Sequence, residues 1–277
     1  MLFRSQVNPV VALSIAGSDS GGGAGIQADL HTMANCGVFG TTVVTAVTAQ
    51  NTVGVSAVGL ESVGLIRAQI DAVVSDFSVA AAKTGMLGSP DIINEVATVA
   101  AAGRLPNLVV DPVLVSTTGA ALMTGDGPRT YVDRLLPRAL LATPNLREAA
   151  VLLGHDAAPV DDATQIAWAR ELSERAQVNV LLKGGHRSGD TCLDVLVTSD
   201  GVTEFRSPRV DTLNDHGTGC SLSAAISAYL ARGDELVEAV ERARAYVHRA
   251  LVGGAHWSLG RGRGPLDHSP ATHTENP

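Results

Sequence analysis

Short apolar, β-branched runs alternate with helix-patterned segments along almost the whole chain, and this alternation constrains the fold more than any other feature. Strands are expected over residues 10–16, 41–46, 55–60, 79–84, 107–112, 139–143, 178–183 and 192–198. Helices are expected over 24–35, 62–75, 91–102, 127–136, 146–153, 163–176, 219–231 and 235–253. Leu108-Val109-Val110 and Val180-Leu181-Leu182 are unbroken apolar segments, the pattern of strands covered on both faces. The expectation is an α/β fold: a mainly parallel sheet with right-handed crossovers and helices on either side. No Pro/Ser-rich linker or composition shift divides the 277 residues, so a single domain over 1–277 is expected, with a frayed tail from about residue 268.

Composition narrows the class of partner. The net charge of −8 is spread along the chain and there is no Lys/Arg cluster, so no nucleic-acid surface is expected. Aromatic residues are only 3%, too few for base-stacking platforms. Cys36, Cys192 and Cys220 lie far apart without a C-x-x-C, which argues against a disulfide framework or zinc site. The apolar run at 10–16 is too short for a signal peptide core followed by a cleavage site, and no run approaches the ~20 apolar residues that span a bilayer. A soluble cytoplasmic protein with no membrane partner is expected.

In a parallel sheet, ligands gather beyond the carboxyl ends of the strands. Nearly every polar exception in the sequence falls there. Ser18-Asp19 and the glycines from Gly21 to Gly25 follow the first strand, and Gln50-Asn51 follow the second. Lys83-Thr84-Gly85-Met86, Asp111-Pro112-Val113, Thr143-Pro144-Asn145 and Lys183-Gly184-Gly185-His186 close four more.

The sharpest local signal is His216-Gly217-Thr218-Gly219-Cys220, a glycine-rich loop running straight into an apolar helix. Glycines let backbone N–H groups converge, and a helix N-terminus adds partial positive charge, so Gly217, Thr218 and Gly219 suit a phosphate or a moving phosphoryl group. A thiol at Cys220 is expected to have its pKa pulled down there. The plain alternative is a capped turn. Asn145 and Glu148 read either as a capping box or as groups ordering Mg²⁺ waters beside a polyphosphate, and Asp111 could share that task. Lys183 reads either as part of a turn or as a counter-charge to nucleotide phosphate. Neither G-x-x-x-x-G-K-[ST] nor a well-placed G-x-G-x-x-G is present.

In this order, the segments 14–20, 22–30, 45–51, 83–87, 111–113, 143–145, 183–186, 216–220 and 264–266 resemble the ribokinase superfamily. The vitamin-kinase branch is the nearest match, in particular the hydroxymethylpyrimidine/phosphomethylpyrimidine kinases of thiamine biosynthesis. The likeness runs from about residue 10 to 268, and the combination of G-x-Q-A-D-L with H-G-T-G-C is its most specific part. The resemblance implies a ribokinase-like three-layer α/β/α fold and a homodimer. It implies ATP/Mg²⁺-dependent phosphorylation of 4-amino-5-hydroxymethyl-2-methylpyrimidine and then of its monophosphate; a pyridoxal/pyridoxine kinase is the alternative. Carried over, Gly17, Asp29, Gln50, Met86 and Val113 line the pyrimidine pocket. Lys183, Asn145 and Glu148 serve the nucleotide, Asp111 and Glu148 the metal, and Gly217, Thr218 and Gly219 form the anion hole. Cys220 stands where many sugar kinases of the superfamily have an Asp base, and is expected to take the substrate proton as a thiolate. Gly21 and Ser116-Thr117-Thr118-Gly119 depart from the family's commoner residues, and Lys83 has no implied role.

Overall fold

The computed structural model describes residues 8–115, 122–159, 161–185 and 189–269; the departure at 116–119 and His186 fall outside them. β-Branched and apolar runs form nine strands: β1 (Val11–Asp19), β2 (Phe39–Asn51), β3 (Gly54–Leu60), β4 (Val79–Thr84), β5 (Val109–Val110), β6 (Leu141–Ala142), β7 (Asn179–Leu182), β8 (Thr191–Thr198) and β9 (Gly201–Pro208). They pair in one sheet in the order β3-β2-β1-β4-β5-β6-β7-β8-β9. The pairings from β2 through β7 are parallel. Antiparallel strands flank them: β3 on β2, β8 on β7, and β9 on β8.

The helices are α1 (Gly25–Asn35), α2 (Val63–Asp76), α3 (Pro90–Ala101), α4 (Gly127–Thr130), α5 (Leu146–Leu153), α6 (Asp162–Ala176), α7 (Thr218–Ala231) and α8 (Leu236–Gly254). Their starts follow local chemistry. The Ser62 and Ser89 hydroxyls accept the N–H groups of Leu65 and Ile92, Pro90 opens the first turn of α3, and the Asp161 carboxylate accepts from Thr164. Residues 127–136, expected as one helix, are instead three turns of different pitch. α4 passes into a π turn at Tyr131–Leu135 and a 3₁₀ turn at Leu136–Arg138. Pro137 cannot continue an α-helical ladder, which accounts for the change.

Two cores face each other across the sheet. On one side Ile66, Ile70, Ile92, Ile93, Tyr131, Leu152 and Leu172 pack against Leu13, Ile15, Val110 and Val180. On the other, Met33, Leu222, Ile226, Val240 and Val247 pack against Ala12, Ala81, Val109 and Leu181. This is the expected three-layer α/β/α arrangement. α7 is buried from Ser221 to Ala231 on all sides, because it lies against the sheet beneath α8. Strand order reverses at β1, whose neighbours are β2 and β4, so a crevice opens beyond the carboxyl ends of these strands.

Candidate active site

At the end of β1 the chain turns through Asp19, whose carboxylate organises the glycine-rich loop. Oδ1 accepts the N–H of Gly21 at 2.7 Å, and Oδ2 accepts those of Gly23 and Ala24 at 3.1 and 2.9 Å. The loop then meets the other glycine-rich loop, some two hundred residues later in sequence. Gly217 caps α7 at φ +87°, and a Cβ there would fall 1.9 Å from the Gly23 carbonyl oxygen. Only glycine permits both the backbone angle and the approach. His216 Nε2 lies 3.0 Å from Asp19 Oδ2, tying the loops together by side chains as well.

Beyond the α7 N-terminus lies the charged part of the site. Lys183 Nζ is 2.9 Å from Asp111 Oδ1, and the Thr143 hydroxyl donates to the same oxygen at 3.3 Å. A Cβ on Gly219 would lie 3.2 Å from Lys183 Nζ and 3.6 Å from Asp111 Oδ2. The missing side chain therefore lets the α7 N-terminus approach the ammonium closely, and a helix N-terminus beside an ammonium suits an anion. Burial pulls the Lys183 ammonium down, but Asp111 and Glu148 outweigh this and hold it above its usual value. The Lys183 and Asp111 expected at nucleotide and metal are thus partners of each other.

Asn145 and Glu148 form a complete capping box at α5. The Asn145 oxygen accepts the N–H groups of Arg147 and Glu148, and Glu148 Oε2 accepts the Asn145 N–H at 2.7 Å. Burial, reinforced by Asp111 and opposed by Lys183, lifts the Glu148 carboxyl to about 7.

Cys220 occupies the third position of α7, with the Gly25 N–H directed at its sulfur. Its thiol is not lowered as expected. Burial, with Asp29 and Asp111 nearby, pushes it up to about 11, although Lys83 and the Gly25 N–H pull the other way. The Asp29 carboxylate is wholly buried and already filled: Lys83 Nζ donates to both oxygens at 3.0 Å and the Ser14 hydroxyl to Oδ2 at 2.5 Å. Asp29 and Lys83 form a fully buried ion pair, with Cys220 close enough to feel both charges. Burial raises the Asp29 carboxyl, against the pull of Lys83 and Ser14.

Of the remaining pocket candidates, Gly17 and Met86 are brought into contact. Met86 Sδ is 3.3 Å from where a Gly17 Cβ would stand, so the missing side chain brings β1 and the end of β4 together. The Thr45 hydroxyl donates to the Met86 carbonyl at 2.6 Å, fixing that turn. Gln50 reaches from the end of β2 to within 3.0 Å of His216 Nε2, and half-buried Val113 follows Asp111. Sequence reasoning missed the Asp19–His216 link and the Lys83–Asp29 pair. The available signal was polarity: Asp19 and Lys83 at strand ends, Asp29 within α1 and His216 in the loop before α7.

Comparison with known proteins fits this geometry. The phosphomethylpyrimidine kinase family profile matches residues 19–267. A hydroxymethylpyrimidine/phosphomethylpyrimidine kinase from Rhizobium meliloti is 47% identical over 93% of this chain and 96% of its own. The crystal structure of phosphomethylpyrimidine kinase from Clostridium difficile is 38% identical, with a TM-score of 0.76 over 87% of this chain and 99% of that one. Pyridoxal kinase from Staphylococcus aureus in complex with AMP-PCP and pyridoxal is 30% identical, with a TM-score of 0.87 over 97% of this chain and 96% of that one. The fold is thus that of the ribokinase-like vitamin kinases, and the chain belongs to the phosphomethylpyrimidine kinase family.

Proposed function

We propose that the protein, acting as one kinase domain over residues 1–277, transfers the γ-phosphoryl group of ATP to the hydroxymethyl group of 4-amino-5-hydroxymethyl-2-methylpyrimidine. A second transfer to the monophosphate then gives the pyrophosphate. The observation that carries this reading is the close approach of Gly219, at the N-terminus of a buried helix, to Lys183 and Asp111. Phosphoryl transfer depends mainly on positioning and charge neutralisation, and this site supplies both. The R. meliloti relative carries the name of this activity, and the S. aureus structure holds an ATP analogue.

Mg²⁺ would enter with the nucleotide. Among the described residues no cluster of three or more His, Cys, Asp or Glu forms a metal cage. That fits a cation held mostly by phosphates and water, with the oxygens of Asp111 and Glu148 ordering those waters. When bound, it neutralises polyphosphate charge. Lys183 holds Asp111 in place, Gly217, Thr218 and Gly219 present backbone to the moving phosphoryl group, and Gly17, Met86 and Val113 support the flat ring faces beside Gln50. Cys220 Sγ takes the substrate hydroxyl proton only as the thiolate. With its thiol pushed up to about 11, it must first release its own proton to solvent, so the reactive form is a small fraction at neutral pH and kcat rises with pH toward that value.

The likeness to pyridoxal kinase favours one second reading, phosphorylation of pyridoxal in the same pocket. Turnover of the pyrimidine, its monophosphate and pyridoxal with ATP and Mg²⁺ decides between them; absence of turnover with both pyrimidines overturns the first reading. Cys220→Ala should lower kcat by roughly 10²-fold or more. Full activity in that variant would remove Cys220 as base and leave the anion hole intact.

A cytoplasmic homodimer completes the proposal. Among the described residues no helix is long and apolar enough to cross a membrane. Edge strand β3 exposes Val58 and Leu60, and the neighbouring β2 exposes Val47 on the opposite face, apolar side chains that a second copy would cover. Sedimentation as a monomer at micromolar concentration would overturn this.

A further inference from the structure

The Gln50 side-chain amide lies between two fixed groups. Its Nε2 is placed 3.0 Å from His216 Nε2, and its Oε1 3.2 Å from the Thr48 hydroxyl. His216 Nε2 also lies 3.0 Å from Asp19 Oδ2, and the Thr48 hydroxyl 2.9 Å from the Ser18 carbonyl oxygen. Asp19, Thr48 and His216 are all buried. Burial pushes the Asp19 carboxyl up, but His216 and the N–H groups of Gly21 and Ala24 outweigh it and hold Asp19 below the usual carboxylate value.

Counting protons orients the amide. An ionised carboxylate only accepts, so His216 Nε2 carries a proton shared with Asp19. A backbone carbonyl also only accepts, so the single Thr48 proton goes to Ser18 and Thr48 turns a lone pair toward Gln50. Gln50 therefore meets a donor on one side and an acceptor on the other. With the NH₂ toward His216, N–H opposes N–H on one side and lone pair opposes lone pair on the other. With the carbonyl toward His216 and the NH₂ toward Thr48, the single Nε2 proton is shared between Asp19 and Gln50, Thr48 accepts from the amide, and no contact is left repulsive. The two ends of the amide have the same shape, so the same heavy-atom positions serve.

We propose that His216, braced by Asp19, and Thr48 are positioning residues that lock the Gln50 amide in this orientation, and that the locked amide selects substrates bearing an exocyclic amine next to a ring nitrogen. After these contacts Oε1 keeps one lone pair and Nε2 keeps one N–H. That is an acceptor beside a donor, the complement of an amine beside an aza nitrogen. A freely turning amide would serve either hand of substrate edge. A locked one rejects an edge that leaves it unpaired. The inference rests on the reading that this pocket takes a pyrimidine.

Steady-state kinetics with 4-amino-5-hydroxymethyl-2-methylpyrimidine and its analogue lacking the amino group test it. His216→Asn is too short to reach Gln50, whereas His216→Gln places an N–H near the position of Nε2. Thr48→Val removes the lone pair on the other side at constant volume. His216→Asn and Thr48→Val should each raise KM for the amino substrate by roughly 10- to 100-fold. Thr48→Val should leave KM for the deamino analogue and kcat little changed, and for His216→Asn the KM loss on the amino substrate should exceed the loss on the deamino analogue at least several-fold. His216→Gln should restore the amino preference. Equal losses on both substrates, or losses confined to kcat, would show that these residues merely support the loop and overturn the proposal. If His216→Asn does not fold, Thr48→Val carries the same expectation alone. No turnover of either pyrimidine by the unsubstituted enzyme would overturn the pocket reading, and this proposal with it.

Discussion

Cys220 and Glu148 show how burial decides the charge of individual groups in this site. A helix N-terminus stabilises a nearby anion by about 0.3–1 kcal/mol, up to ~2 in partly buried sites, or about one pKa unit. The thiol at the start of α7 meets that field, yet burial and two neighbouring carboxylates lift it to about 11. Glu148 is lifted to about 7 by burial and Asp111. Its raised value has a measurable consequence. Between its ordinary value near 4.5 and about 7, the folded protein binds a proton that the unfolded chain has lost, so stability falls as pH rises through this window. The loss amounts to about 3 kcal/mol. Glu148→Gln keeps the capping box, since glutamine serves equally at that position. Urea denaturation of the ligand-free protein should therefore find the variant more stable than wild type at pH 8, with the gap closing by pH 4.5. A gap that does not vary with pH would refute the assignment.

Among the elements, the junction between the glycine-rich loop and α7 has the least tolerance. Gly217→Ala would combine a left-handed backbone angle with a Cβ 1.9 Å from the Gly23 carbonyl. The backbone strain alone costs about 1–3 kcal/mol. Chemical denaturation should show at least that loss, and kcat should collapse as the anion hole opens. Gly185→Ala is the control, because a Cβ there meets nothing within 4 Å and needs no unusual backbone angle; its stability should match wild type. Much of this level was legible in the sequence. Residues 79–84 and 146–153 form β4 and α5 as expected, because an apolar run and an N-x-x-E start are strong local signals. β9 was missed, since Gly201–Pro208 is polar and half-exposed at the sheet edge and has no apolar run to betray it. Its turn was nevertheless written in Asp200-Gly201, a strong hairpin signal. The ion pair of Asp29 with Lys83 was missed for a different reason. A motif shows that a residue is needed, but its partner Lys83 is 54 positions away, and only the β1–β4 pairing and the packing of α1 bring the two together.

At the scale of the whole molecule, His268 ties the segment after α8 into the same layer as the site. His268 Nδ1 lies 2.8 Å from the Tyr246 hydroxyl on α8, and Nε2 lies 3.4 Å from the Ser221 hydroxyl on α7. Burial, with His31 adding to it, pulls this imidazole down to about 4. Between pH 6.5 and 4 the unfolded chain holds a proton that the folded protein refuses, so stability falls with acidification by about 3 kcal/mol. This opposes the Glu148 effect, and the two partly cancel in a wild-type pH profile. The difference between wild type and His268→Gln isolates the histidine: the variant should lose less stability than wild type from pH 6.5 to 4. Parallel curves would show that the strap does not sense pH.

The burial of α7 also orders events during synthesis. β1, β4 and β5 leave the ribosome long before Thr218–Ala231, the helix that covers them. At typical elongation rates the gap between β5 and the end of α7 is on the order of ten seconds. During that interval β6 to β9 are still being added, and the sheet face that α7 and α8 will cover stays open beside half a catalytic site. Only when Thr218–Ala231 docks is that face closed and are the two glycine-rich loops brought together.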